Sequence, residues 1–151
     1  LDATDVELLP ENLPAFGWFF SGLWYINFFG NKDEIVRFCE ELNLKMCLDL
    51  SHAWLYTQHA KVDYIDYIKT LAPYTAHLHI ADGRGTQKEG LQIGEGDVPF
   101  DEVFELLEKY LPDRGKETSW VPEIWQGHMN EYHEFKIAIE KLANYPLIGK
   151  K

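Results

Sequence analysis

The chain has 151 residues, 46% of them hydrophobic, and a formal net charge of -11, which is enough for one core and too little for two full-sized domains. So acidic a composition disfavours a passive nucleic-acid or anionic-membrane surface, both of which need a basic footprint, and points to small molecules or a metal ion as partners. The two cysteines, Cys39 and Cys47, have neither CxxC spacing nor the density of a disulfide scaffold, which fits a reducing cytoplasm.

The most apolar stretch, Ala15 to Gly30, is broken by Gly, Ser and Asn and falls short of the roughly 20 residues a membrane helix needs. No span and no signal segment are expected. The first residue is Leu1 rather than Met, as in a processed, truncated or partial chain.

Val6 to Asn12 reads as a short strand whose end carries Glu11, with Pro10 placed where the ladder is about to stop. Leu13 to Gly30 then brings Phe16, Trp18, Phe19, Phe20, Trp24, Tyr25, Phe28 and Phe29. That density suits a lid, a partner surface or core, and core or interface is the simpler expectation. Asn31 and Glu34 have the spacing of an N-cap and its reciprocal partner, opening a helix over about Lys32 to Leu42.

Lys45 to His52 is the stretch on which the rest turns. Alternation puts Met46, Leu48 and Leu50 on one side and Cys47 and Asp49 on the other, the two-residue period of a strand. Its end delivers a carboxylate, Asp49, and an imidazole, His52. Ala53 to Ala60 reads as a short helical turn and Val62 to Leu71 as a helix stopped by Pro73. Thr75 to Asp82 is a further strand, in which His77 and His79 share a face opposite Leu78 and Ile80.

Asp82 to Val98 reads as a glycine-rich loop without a Walker or dinucleotide pattern, followed by an amphipathic helix from about Phe100 to Leu111. After a polar connection, Pro112 to Thr118, the strand Ser119 to Trp125 carries Glu123 opposite Trp120 and Ile124. A last helix is expected from about Glu131 to Ala143, and the tail from Gly149 reads as frayed.

The order is therefore four βα repeats, the pattern of an α/β fold with a parallel sheet. Each strand offers one polar group at its C-terminal end, namely Glu11, Asp49, His79 and Glu123, and in parallel α/β folds that edge is where sites are built. Two Glu, one Asp and one His on one mouth suit a divalent cation, carboxylates favouring Mg or Mn and imidazole admitting Co or Zn. A complete (β/α)8 barrel takes about 250 residues, so residues 1–151 fit a single partial domain. Its open sheet edges call for preceding units or a partner subunit, such as a homo-oligomer.

Glu11-Asn12 after a strand, Asp49-Leu50-Ser51-His52, His77 to Asp82, Ile93-Gly94-Glu95-Gly96 and Pro122-Glu123-Ile124 together resemble the xylose isomerase-like TIM-barrel superfamily. This superfamily includes sugar-phosphate isomerases and epimerases and an apurinic endonuclease branch. The resemblance spans nearly the whole chain and implies the C-terminal half of a TIM barrel, strands five to eight. It implies Glu11, Asp49, His79 and Glu123 as metal ligands, His52 as a substrate contact, and Arg84 near the place of a substrate-binding arginine. Ala81 stands where a Lys is common, and Lys88-Glu89-Gly90 replaces the Asp-x-His pair of the endonuclease branch. The implied reaction is a metal-dependent isomerisation or epimerisation of a small sugar or keto-polyol through an enediolate, with Glu11 and Glu123 moving the proton. A phosphodiesterase or abasic-DNA endonuclease, and a non-catalytic assembly module, are the alternatives.

Overall fold

In the computed structural model, residues 6–19, 21–26, 28–112 and 117–149 are described. The centre is a three-stranded parallel sheet in the order β3 (Met46–Asp49), β4 (Thr75–Ile80), β7 (Ser119–Pro122). The segment ending at Glu11 extends it in parallel as a single bridge, Glu11 to Cys47, with the Cys47 N–H donating to the Pro10 carbonyl at 3.0 Å. The expected strand over Val6 to Asn12 is thus one rung, because Pro10 has no N–H to offer a ladder. Between the strands run α1 (Lys32–Leu42), α2 (Leu50–Ala60), α3 (Tyr64–Leu71) and α4 (Phe100–Tyr110). After β7 come α5 (Met129–Leu142) and α6 (Pro146–Gly149).

The core lies between sheet and helices. Met46, Leu48, Leu78 and Ile80 are buried against a layer that includes Ile35, Cys39, Ile68, Leu71, Val103 and Leu107, each large side chain contributing about 1.5–3 kcal/mol through burial. The helix stripes predicted from spacing supply these residues. Asn31 caps α1 as expected, its side chain accepting from the Asp33 and Glu34 N–H groups.

Several elements differ from the sequence expectation. The turn expected over Ala53 to Ala60 is a full helix that starts at Leu50, because Asp49 caps it. The aromatic segment folds into an antiparallel hairpin, β1 (Phe16–Phe19) with β2 (Gly22–Tyr25). Phe29 joins the core while Trp18, Trp24, Tyr25 and Phe28 stay exposed, so of the core-or-interface expectation the core part holds for Phe29. Phe20 lies outside the described residues. The last helix is regular only past Tyr132, since Asn130, Glu131 and Tyr132 have left-handed backbone angles. Of the tail expected to fray, Gly149 closes α6, while Lys150 and Lys151 lie outside the described residues.

The glycine-rich loop is also built rather than loose. It forms a second hairpin, β5 (Asp82–Arg84) with β6 (Lys88–Leu91), and then wraps round one carboxylate. Asp82, fully buried, accepts from the N–H groups of Gly83, Gly94, Gly96 and Val98 at 2.8 to 3.1 Å. A Cβ at Gly96 would fall 2.2 Å from Asp82 Oδ1, which is why this position is glycine. Removing the acceptor orphans four amides, each costing about 1–3 kcal/mol where buried. Asp82→Ala is therefore expected to lose at least about 3 kcal/mol in urea unfolding, against under about 0.5 kcal/mol for the exposed Glu105→Ala. A loss below about 1 kcal/mol for Asp82→Ala would show that the carboxylate does not hold this loop.

Candidate metal centre

Asp49 closes β3 and opens α2. Its Oδ1 accepts from the His52 N–H at 2.6 Å, capping the helix, which leaves Oδ2 for the imidazoles of His52 and His79. The backbone of Asp49 is held by a side chain from the first strand. Asn12, completely buried, accepts the Asp49 N–H at 2.8 Å through Oδ1 and donates Nδ2 to the Asp49 carbonyl at 3.0 Å. The amide satisfies both polar groups of a buried peptide position and fixes the neighbouring Glu11 beside Asp49.

β4 pairs with β3 so that His79 lies opposite Asp49, and the Glu123 N–H donates to the Ile80 carbonyl at 3.0 Å just beyond β7. Alternation then turns all four side chains to one face. One donor atom each from Glu11, Asp49, His79 and Glu123 lies within 4.8 Å of the others. His79 Nδ1 is 2.8 Å from Glu123 Oε2, 3.4 Å from Glu11 Oε1 and 3.9 Å from Asp49 Oδ2. It is nonetheless a buried atom with no properly directed hydrogen bond. The short distances without hydrogen-bond direction set the four donors round a common point. The mutual repulsion of the three carboxylates is offset in the metal-free protein by the imidazoles of His52 and His79 beside them. The donor set, three carboxylates and one imidazole, suits Mn, Mg, Co or Zn.

His52, in the first turn of α2, flanks this group. Its Nδ1 is 3.0 Å from the Asn12 carbonyl and 3.1 Å from Glu11 Oε1, and its Nε2 is 3.3 Å from Glu89 Oε2. Glu89 was not singled out in the sequence, where the glycines around it suggested a loop. The burial along β6, Lys88 exposed, Glu89 half-buried and Gly90 buried, does not alternate, so no periodic signal marks it, and the contact with His52 is what places it at the site. Its Oε2 is buried without a hydrogen-bond partner. Arg84 does not join the four donors. Its guanidinium bonds the Glu95 carbonyl and lies 3.9 Å from Asp97, on the glycine turn.

Charge at the site is set by these contacts. The Cys47 thiol and then the Glu11 and Glu123 carboxylates push His79 up to about 12. Burial opposes a charge on His52, but Asp49, Glu11 and Glu89 outweigh it and raise the imidazole to about 11. Burial also opposes charge on Glu11, yet His52 and His79 bring it down to about 2. Burial raises Asp49 to about 7 against the pull of His52, and His79 lowers Glu123.

A family model described as xylose isomerase-like TIM barrel matches residues 1–144. Among curated proteins, the chain is 32% identical over 76 residues to the uncharacterized protein MJ1311 of Methanocaldococcus jannaschii, covering 50% of this chain and 25% of that protein. It is 30% identical over 105 residues to the uncharacterized protein MJ1614 of the same organism, covering 69% of this chain and 36% of that one. A crystal structure of a D-tagatose 3-epimerase-like protein superposes with a TM-score of 0.53 at 21% identity, over 91% of this chain and 50% of that chain. The chain thus spans a quarter to about a third of these relatives' length and half of the solved structure.

In the metal-stripped protein His79 keeps its proton at neutral pH, and Asp49 keeps one below about 7. An ion entering the group must displace protons, so affinity rises with pH. Mn2+ titrations followed by electron paramagnetic resonance are expected to tighten about tenfold per pH unit between roughly pH 7 and 8.5, and more steeply below 7. Affinity that is flat or falls with pH would exclude His79 as a ligand.

Proposed function

The chain belongs to the xylose isomerase-like TIM barrel family, and on that premise we propose that it forms the site-bearing part of a divalent-metal-dependent isomerase or epimerase. The substrate class is a small sugar or keto-polyol, phosphorylated or not. The observation that carries this reading is the convergence of Glu11, Asp49, His79 and Glu123 around an imidazole nitrogen with no hydrogen bond of its own.

Those four residues would hold the ion, which when bound would polarise adjacent carbonyl and hydroxyl oxygens and lower the energy of the enediolate. Glu11 and Glu123 stand on the two outermost of the four parallel segments, so one takes the carbon-bound proton and the other returns one. His52 and Glu89 offer a substrate hydroxyl an N–H donor and a carboxylate acceptor side by side. Trp125, edge-on to Trp18 at 6.4 Å between ring centroids, supplies an apolar wall for the C–H side of a sugar.

The hydrolytic alternative loses support at β6. Lys88 and Gly90 stand where the endonuclease branch would need Asp and His, and Trp125 fills the space beside Gly90, where a Cβ would lie 2.0 Å from Trp125 Cδ1. The net charge of -11 also opposes a DNA substrate.

Solvent exchange tests the proposal. With Mn2+ and a panel of ketopentoses, ketohexoses and keto-polyols in D2O, deuterium is expected at the carbon beside the carbonyl. Glu123→Gln is expected to lower that rate at least about 100-fold while Mn2+ is still bound. No exchange across the panel, or full exchange by the variant, would overturn the proposal.

A further inference from the structure

A second donor group lies on the same face of the sheet, reaching to the N-terminal side of Asp49 along the strands. One ligand atom each from Cys47, His77 and His79 lies within 4.8 Å of the others. The register makes this group, since Cys47 pairs with His77 across β3 and β4 and His79 is two residues further on. All three side chains therefore share a face.

The surroundings are those of a ligand set. Cys47 is buried at 4% exposure, and it is one of two free cysteines in the chain. His77 Nδ1 is 2.6 Å from Ser119 Oγ, which orients the ring and leaves Nε2 as its unengaged nitrogen, the way ligating imidazoles are commonly held by a second partner. The rings of His77 and His79 meet edge to face at 5.2 Å between centroids. His79 turns Nδ1 to the carboxylates and also offers a ring nitrogen to this group.

We propose that Cys47, His77 and His79 bind a thiophilic cation of the Zn2+, Co2+ or Cd2+ class, at a site that shares only His79 with the carboxylate group. One thiolate and two imidazoles are a soft set, in contrast to the hard oxygens next to it. Three protein ligands leave a fourth position for water. Binding breaks the S–H bond of Cys47 and one N–H bond of the protonated His79, releases both protons to solvent and forms metal–sulfur and metal–nitrogen bonds, with no change of oxidation state. Nothing in this assignment depends on the isomerase reading, because the ion alone is the ligand.

The test is a titration of the reduced, metal-stripped protein with Cd2+, read by the near-ultraviolet thiolate-to-cadmium charge-transfer band. The parent protein and Cys39→Ser are expected to show the band saturating at one equivalent. Cys47→Ser is expected to abolish it while still binding Mn2+, which shows that the fold and the carboxylate group survive. His77→Ala, which leaves the thiol in place, is expected to weaken Cd2+ binding at least about tenfold. Absence of the band in the parent, its survival in Cys47→Ser, or unchanged affinity in His77→Ala would overturn the proposal. Mn2+ binding reads the carboxylate group separately, so failure of either site is distinguishable from failure of the other.

Discussion

The grip of Asn12 on the backbone of Asp49 is the contact on which the site depends. A single side-chain amide satisfies the N–H and the carbonyl of one buried residue, and so ties the first strand, which has only one ladder rung, to the centre of the sheet. Without it Glu11 would hang from a segment with little to fix its register. With it, the carboxylates of Glu11 and Asp49 face His79 together. The constraint is one of position rather than of binding strength, since a site of this kind needs its donors held before the ligand arrives.

Asp49 serves two elements at once. One oxygen caps α2 and the other faces the imidazoles of His52 and His79, so the start of a helix and the edge of the site are the same residue. The cap explains why His52 sits where it does, on the first turn of a helix rather than on a free loop. Asp82 is a purely structural counterpart one strand later, spending its oxygens on four backbone amides to shape the hairpin and turn. That hairpin in turn carries Glu89 to His52 and seats Trp125 on Gly90. Two buried aspartates therefore divide the work, one shared between fold and site and the other given wholly to the fold.

Much of this was legible in the sequence because the signals are periodic. Alternation in β3 and β4 separates Cys47, Asp49, His77 and His79 from the core-facing Met46, Leu48 and Leu78, and the repeated βα order places their ends together. What alternation does not carry is chain direction at turns. Asp49-x-x-His52 reads equally well as a loop or as a helix start, and only the capping bond decides. Arg84 looks available to a substrate by position alone, yet its guanidinium turns to Glu95 and Asp97. Glu89 is hidden in a stretch whose glycines suggest a loop, although Gly90 and Gly96 mark close packing against Trp125 and Asp82. The aromatic segment has a composition that fits core and lid alike, and the hairpin splits it, burying Phe29 and leaving Trp18 and Trp24 exposed.

The central claim is that Glu11, Asp49, His79 and Glu123 form one cation site. Anomalous scattering from crystals of the protein grown with Mn2+ tests it most directly. The account predicts a single strong peak among the four side chains, about 2.0 to 2.6 Å from a donor atom of each. A peak elsewhere, or none with the four side chains turned apart, would contradict it.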